Sequence, residues 1–280
     1  MATLGQNRYG KSRVRLSRIT RHGDRHEFHE WSVGVLLEGD FETSFTEADN
    51  SKILPTDTMK NTVYSAARES KARTMEDFAV ELGDYLLKNN AQVTKVSIEV
   101  DEKAWERLVV DGTAEPTTFR LGGPELHTAH AVGSKSGAWS IVSGVEGMVI
   151  LKTTKSAFTG YIKDKLTTLK PATDRIFGTS ASATWEFGDG SPDHENVRSR
   201  VISALLAEFA AHDSMSVQHT LFDMGKAALA AAPEIARITL TMPNLHHLLA
   251  DLSPFGQDNP NHIFVPIDEP HGYIEATIER

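Results

Sequence analysis

The feature that most constrains this chain is an order of hydrophobic patterns that occurs twice: strand-like alternation, two helices with one apolar stripe each, then alternation again. In the first copy, residues 11–20 alternate basic and apolar side chains (Arg13, Val14, Arg15, Leu16, then Ile19), the period of two that marks a half-buried strand. Residues 26–37 read as its partner, with Gly23-Asp24 as the hairpin turn. Helices are expected over residues 60–70 and 74–88. In the second of these, Phe78, Leu82, Tyr85 and Leu86 recur at three- and four-residue spacing, and Thr74 followed by Asp77 forms a capping box. Alternation returns at residues 93–100 and 125–132. The second copy places strands at 139–142 and 147–153, helices at 194–211 and 217–231, and strands at 236–242 and 262–277. Its first helix carries Val197, Val201, Leu205 and Phe209 on one stripe.

Helices with a single apolar stripe lie on one face of an antiparallel sheet, so the expected class is α+β, with the opposite sheet face left for a ligand cavity or further subunits. The junction at residues 133–137 is short, which sets expected domains of 1–135 and 136–280. With 280 residues, 40% apolar and 24% charged, the chain is long enough to bury a substantial core in each.

A formal net charge of −9 argues against a nucleic-acid partner or an anionic membrane surface. There are no cysteines, so disulfides, thiolate metal sites and cysteine nucleophiles are excluded. The first residues contain no apolar signal-peptide core, no window approaches a membrane span, and the terminal Ile-Glu-Arg is not a peroxisomal Ser-Lys-Leu address. The expected compartment is therefore the cytoplasm.

Candidate chemistry begins at Leu54-Pro-Thr-Asp-Thr-Met-Lys-Asn-Thr-Val-Tyr64, where Thr56 and Asp57 precede a helix-like run. The first free N–H groups of a helix beside a threonine hydroxyl suit an anion or a planar carbonyl compound. Asp57 or Thr58 acting as a plain N-cap, with Pro55 fixing the entry turn, explains the spacing equally well. Lys11, Phe158, Asp174-Arg175-Ile176, Ser216-Val217-Gln218 and Pro243-Asn244-Leu245-His246 also stand out. Taken singly each has a commonplace explanation: a solvated lysine, a core aromatic, a surface ion pair, a helix residue, a hydrogen-bonded histidine. His22, His26 and His29 are close in sequence, but strand geometry puts His29 on the opposite face from the other two, and His127 and His130 are separated in the same way. Gly122-Gly123-Pro124 and Gly188-Asp189-Gly190 read as turns without a nucleotide fingerprint. No metal site is expected.

Together these segments follow the order of the urate oxidases. Tyr9-Gly10-Lys11, Thr56-Asp57, Thr167-Thr168-Leu169 with Asp174-Arg175, Val217-Gln218, Pro243-Asn244-Leu245-His246 and Gln257-Asp258-Asn259-Pro260-Asn261 resemble uricase signatures along nearly the whole chain. The resemblance implies tandem tunnelling-fold (T-fold) units whose sheets assemble into a barrel, and a homotetramer with active sites between subunits. It implies oxidation of urate by dioxygen and water to 5-hydroxyisourate and hydrogen peroxide, without a cofactor. By resemblance, Lys11, Thr56 and His246 form a proton relay. Arg175, Val217 and Gln218 bind urate, and Phe158 stacks on it. Thr56 and Asp57 from another subunit take its imidazole-ring edge, and Asn244 helps hold dioxygen. Met59, Leu245 and His247 lie beside these positions with no role assigned. Two alternatives are a T-fold enzyme acting on a pterin-like ring, against which no glutamate sits in a matching context, and a non-catalytic purine-binding protein.

Overall fold

The computed structural model describes residues 2–135, 137–190, 192–267 and 269–280. The chain divides into two compact units, Met1–Gly144 and Val145–Arg280. The division falls later than the glycine-rich junction because Trp139 and Ile141 pack on the first core, and the Trp139 indole donates a 2.9 Å hydrogen bond to Asp84.

In the first unit, β1 (Tyr9–His22), β2 (Arg25–Gly39), β3 (Val93–Val110) and β4 (Thr113–Ser134) are antiparallel neighbours in that order. The β1–β2 turn is at the expected Gly23-Asp24, where Gly23 takes the left-handed φ of 61° that this tight connection needs. Along β2, Trp31, Val33, Val35 and Leu37 are each at most 1% exposed while their neighbours face outward, as the period-two pattern requires. Between β2 and the next strand lie a short helix α1 (Glu42–Thr46), then α2 (Thr56–Glu69) and α3 (Met75–Asn89). Met59, Val63 and Ala67 bury one stripe of α2, and Phe78, Leu82 and Leu86 bury one stripe of α3, where the Phe78 ring stacks on Trp31 at 4.9 Å. Met59, without a role in the sequence reading, is thereby a core residue. Tyr85, expected in the α3 stripe, lies on its exposed flank.

β3 and β4 run well past the expected 93–100 and 125–132. Beyond Val100 few residues are fully buried, so hydrophobic alternation fades although backbone pairing continues to Val110↔Thr113. Gly122-Gly123-Pro124, expected as a turn, lies inside β4, in an irregularity where Lys103↔Leu126 and Trp105↔Leu121 leave extra residues on that strand.

In the second unit the strand order is β5 (Ser140–Lys152, entering from the first unit), β6 (Phe177–Phe187), β7 (Ile235–Thr241) and β10 (Glu275–Glu279). β8 (Asn244–Leu249) pairs β6 and β9 (Phe264–Ile267). The two expected strands at 139–142 and 147–153 are one, with Gly147 absorbing a φ of 71° in its middle. β6 had no prediction: its buried positions are Phe177, Gly178, Thr179, Ala181, Ala183 and Trp185, and the small ones hide the alternation. The expected strand 262–277 is two short ones, β9 and β10, on different partners. Helices α4 (His194–Ala211) and α5 (Val217–Ala231) occur at the expected bounds, and Val197, Val201, Leu205 and Phe209 are buried together with Leu221 and Met224 of α5. Among the described residues no helix is long and apolar enough to cross a membrane.

Candidate active site

The sequence candidates fall into two groups, one in each unit. In the second unit, Phe158, Arg175, Val217, Gln218, Asn244 and His246 all line one cavity of about 690 Å³.

The backbone explains each placement. Phe158 and Ala172 exchange two main-chain hydrogen bonds of 2.8 and 3.1 Å, which fix the aromatic on an otherwise irregular segment, and its ring stacks on Tyr161 at 4.9 Å. Asp174 accepts a 2.8 Å hydrogen bond from the Thr154 hydroxyl and a longer one from the Ser156 N–H. The residue before Arg175 is thus tied to the end of β5. These bonds, the Thr154 one first, hold the Asp174 carboxyl below its usual range.

The Arg175 guanidinium sits 5.3 Å from the centre of the Phe158 ring. It makes no side-chain hydrogen bond or ion pair among the described residues, and half-burial pushes its pKa down from the ordinary arginine value. A desolvated, charged and uncommitted fork inside a cavity is a receptor for a planar anion. The sequence reading of a lone Arg175 as a surface ion pair is corrected by this geometry.

Ser216 is the N-cap of α5: its side chain accepts the His219 N–H at 3.1 Å, and its carbonyl accepts the Thr220 N–H. The main-chain N–H groups of Val217 and Gln218 are therefore the first free donors of the helix, at the end where its dipole favours negative charge. The Val217 side chain is buried, whereas that of Gln218 is exposed and free to swing toward a ligand edge.

Asn244 and His246 belong to β8, where alternate residues share a face. The Asn244 side-chain amide nitrogen lies 3.3 Å from His246 Nδ1, and the Asn244 main-chain N–H donates a 2.9 Å hydrogen bond to the Gly272 carbonyl. Burial, then the positive charge of Arg175 and the proximity of His271, push the His246 pKa below the ordinary imidazole value, so its neutral, proton-accepting form dominates at neutral pH. His247, unassigned from sequence, also lines the cavity, with Nδ1 3.2 Å from the Leu245 carbonyl oxygen.

In the first unit, Lys11, Thr56 and Asp57 form the second group. α2 begins at Thr56, earlier than expected, because Pro55 (φ −56°) is its N-cap. The capping reading of Asp57 or Thr58 does not hold: no side chain caps this helix. Thr56, Asp57 and Thr58 are exposed, so the orphan donors of the first turn face outward beside the Thr56 hydroxyl. Asp57 instead pairs with Lys60 and accepts from Asn61 at 3.2 Å. Those contacts, Lys60 first, with the charge of Lys11 contributing, hold its carboxyl below the usual range.

Tyr9 was a motif residue without a role, and the structure supplies one. Its hydroxyl donates 3.2 Å to the Leu54 carbonyl and accepts 2.8 Å from the Leu54 N–H, two residues before Thr56, while Lys11 stands two residues after Tyr9. Gly10 between them is obligatory, since a Cβ there would lie 1.8 Å from the Val35 carbonyl oxygen. After Lys11 the register with β2 slips at a bulge, with Arg13 at φ 55°.

The expected sharing of one face by His22 and His26 does not hold: the turn puts them on different strands, His22 opposite Arg25 and His26 opposite Arg21, so they face opposite ways, while His26 and His29, three apart on β2, are separated as expected. His29 Nδ1 contacts Glu102 at 2.5 Å, and His22 faces Glu27 at 3.4 Å. Among the described residues the group with metal-ligand spacing is elsewhere, at His212, His219 and Asp223. The sequence reading missed it because His212 belongs to the end of one helix and the other two to the next.

Sheets carrying a helix pair on one face, with a cavity that offers a guanidinium, an aromatic face, an amide and a helix N-terminus, are the arrangement of T-fold α+β enzymes. A family model described as Uricase matches residues 7–132 and 141–275. The chain is 42% identical over 279 residues to a uricase of Arthrobacter globiformis, covering 99% of this chain and 90% of that protein. A uricase of Dictyostelium discoideum is 35% identical over 282 residues, covering 100% and 98%. The crystal structure of the Arthrobacter globiformis uricase superposes with a TM-score of 0.93 at 41% identity, covering all of this chain and 96% of that one. The chain belongs to the uricase family. A urate oxidase from Bacillus sp. TB-90, 20% identical with a TM-score of 0.84, shares the fold.

Proposed function

We propose that this protein oxidises urate with dioxygen and water to 5-hydroxyisourate and hydrogen peroxide, without a cofactor. The observation that carries this reading is the uncommitted, half-buried Arg175 in one cavity with Phe158, Gln218, Asn244 and His246. Urate is a flat anion with carbonyl and N–H groups around its rim. The guanidinium takes one carbonyl edge with two parallel N–H donors, the Val217 N–H joins it, and the Gln218 amide pairs with the pyrimidine edge. Phe158 packs on the ring face and keeps water from it.

Urate gives up two electrons, dioxygen accepts them with two protons as hydrogen peroxide, and water supplies the new hydroxyl oxygen. The electron-rich substrate anion is itself the reductant. Asn244 holds first dioxygen and then the attacking water over the ring. His246, kept neutral by its surroundings, accepts a proton, and Lys11 and the Thr56 hydroxyl complete the relay. Thr56 and Asp57 reach the imidazole-ring edge from a second copy, through the uncapped first turn of α2, so the sites lie at subunit interfaces, and the family resemblance makes the working form a homotetramer.

The test is loss of urate ultraviolet absorbance by chelator-treated protein, with oxygen uptake and peroxide followed in parallel. Matched urate loss, oxygen uptake and peroxide are the expected result. Tight urate binding without turnover would make this a purine-binding protein, and neither binding nor turnover would overturn the reading.

A further inference from the structure

We propose that His212, His219 and Asp223 form a binding site for one divalent transition-metal ion of the zinc type, separate from the urate chemistry. His212 is the C-cap of α4, while His219 and Asp223 lie four apart on α5, so the site bridges the end of one helix and the first turns of the next. Their ligand atoms all lie within 4.8 Å of one another. Asp223 Oδ2 is the shared point: His219 Nε2 is 3.3 Å from it and His212 Nδ1 is 3.6 Å from it. Two ligands of a tetrahedral zinc ion, each roughly 2.0–2.1 Å from the metal, stand about 3.3 Å apart, so these separations are those of co-ligands.

The same groups do not hydrogen-bond one another. Among the described residues neither ring nitrogen of His212 is committed to a hydrogen bond, and its Nε2 is fully buried without a partner. The histidine rings meet edge to face at 4.5 Å, which brings their nitrogens toward one carboxylate. Lys226 binds Asp223, but through Oδ1 at 3.0 Å, leaving Oδ2 to the histidines. Glu208 Oε1, 3.5 Å from His212 Nδ1, is a further oxygen within reach to complete the shell. Two imidazoles and a carboxylate suit zinc, nickel or copper over calcium and magnesium, whose ligands are oxygens.

The experiment is titration of chelator-stripped, full-length protein with zinc chloride by calorimetry, and with cobalt(II) for its visible absorption. The expected result is one ion per chain, a tetrahedral cobalt spectrum and a rise in melting temperature on loading. His219→Ala and His212→Gln each weaken binding at least tenfold and remove the cobalt bands, whereas Lys226→Ala tightens binding by removing a competing cation. The His219 side chain is 47% exposed, so its removal leaves the fold intact and keeps the test decisive if His212→Gln fails to fold. His22→Ala is the control and binds like the parent. No saturable zinc binding, or equal binding by the parent and His219→Ala, overturns the proposal.

Discussion

Replacing Arg175 by lysine keeps the charge and removes the planar fork, which makes it the sharpest test of how the cavity recognises its ligand. Because Arg175 has no protein hydrogen-bond or ion-pair partner among the described residues, its loss leaves no buried group orphaned. The intramolecular cost is the contact with the Phe158 ring, about 0.5–1 kcal/mol for a partly exposed cation over an aromatic, part of which lysine retains. Binding is different. A charge-assisted hydrogen bond contributes about 1.5–3 kcal/mol, and lysine cannot supply the second of two parallel bonds or the planar match. The net loss in transition-state binding is therefore about 2–3 kcal/mol, or roughly 30- to 150-fold in kcat/KM. Initial rates of urate loss across a substrate series give kcat/KM, and thermal melting of the same preparation gives stability. A large fall in kcat/KM with a melting temperature within a few degrees of the parent is expected. A kcat/KM within threefold of the parent would refute the recognition argument, and a parallel collapse in melting temperature would show Arg175 to be structural.

Lys11→Met is expected to lower kcat by at least tenfold while urate binding, measured by displacement of a competitive inhibitor, changes little; unchanged turnover removes Lys11 from the relay. Tyr9→Phe deprives the Leu54 N–H and carbonyl of their partner and should cost about 1–3 kcal/mol in urea denaturation, with activity falling as the start of α2 loosens. Hydrogen bonds from Lys103 and Arg15 hold the Glu30 carboxyl at about 2, well below the usual glutamate value of 4.5, so its contribution to stability is present above pH 4.5 and lost as the pH falls toward 2. Glu30→Gln should therefore lower stability at neutral pH and narrow its gap to the parent in acid melts. Since the His246 pKa is depressed, the acid limb of kcat/KM is expected to have its midpoint below the ordinary imidazole value, and His246→Gln should abolish that limb.

Covering one sheet face leaves the question of what meets the other. Glu30 ties together Arg15, Lys103 and Trp105, and Glu102 ties His29 to Trp31, across β1, β2 and β3. Burial opposes charge on His29, but the Glu102 hydrogen bond and charge outweigh it and raise the His29 pKa. The Glu30 cluster lies on the face turned away from the helices, a polar network in place of a second apolar layer, whereas Glu102 and His29 share the helix-covered face with Trp31.

The α+β class and the positions of α3, α4 and α5 were legible in the sequence because each helix carries an uninterrupted apolar stripe, and the β1–β2 hairpin was legible through Gly23-Asp24. β6 and the far ends of β3 and β4 were not, because small or half-exposed residues in those strands are held by backbone pairing that leaves little hydrophobic period. The identity of the site residues could be named from motif order, since order along the chain is what a sequence records. Their physical state was a tertiary matter. Whether Arg175 is paired or free, whether Asp57 caps its helix, and which way His246 leans between protonation states depend on neighbours distant in sequence, as does the meeting of His212 with His219 and Asp223. Desolvation and charge are set by what the folded chain brings close, and no local pattern encodes that.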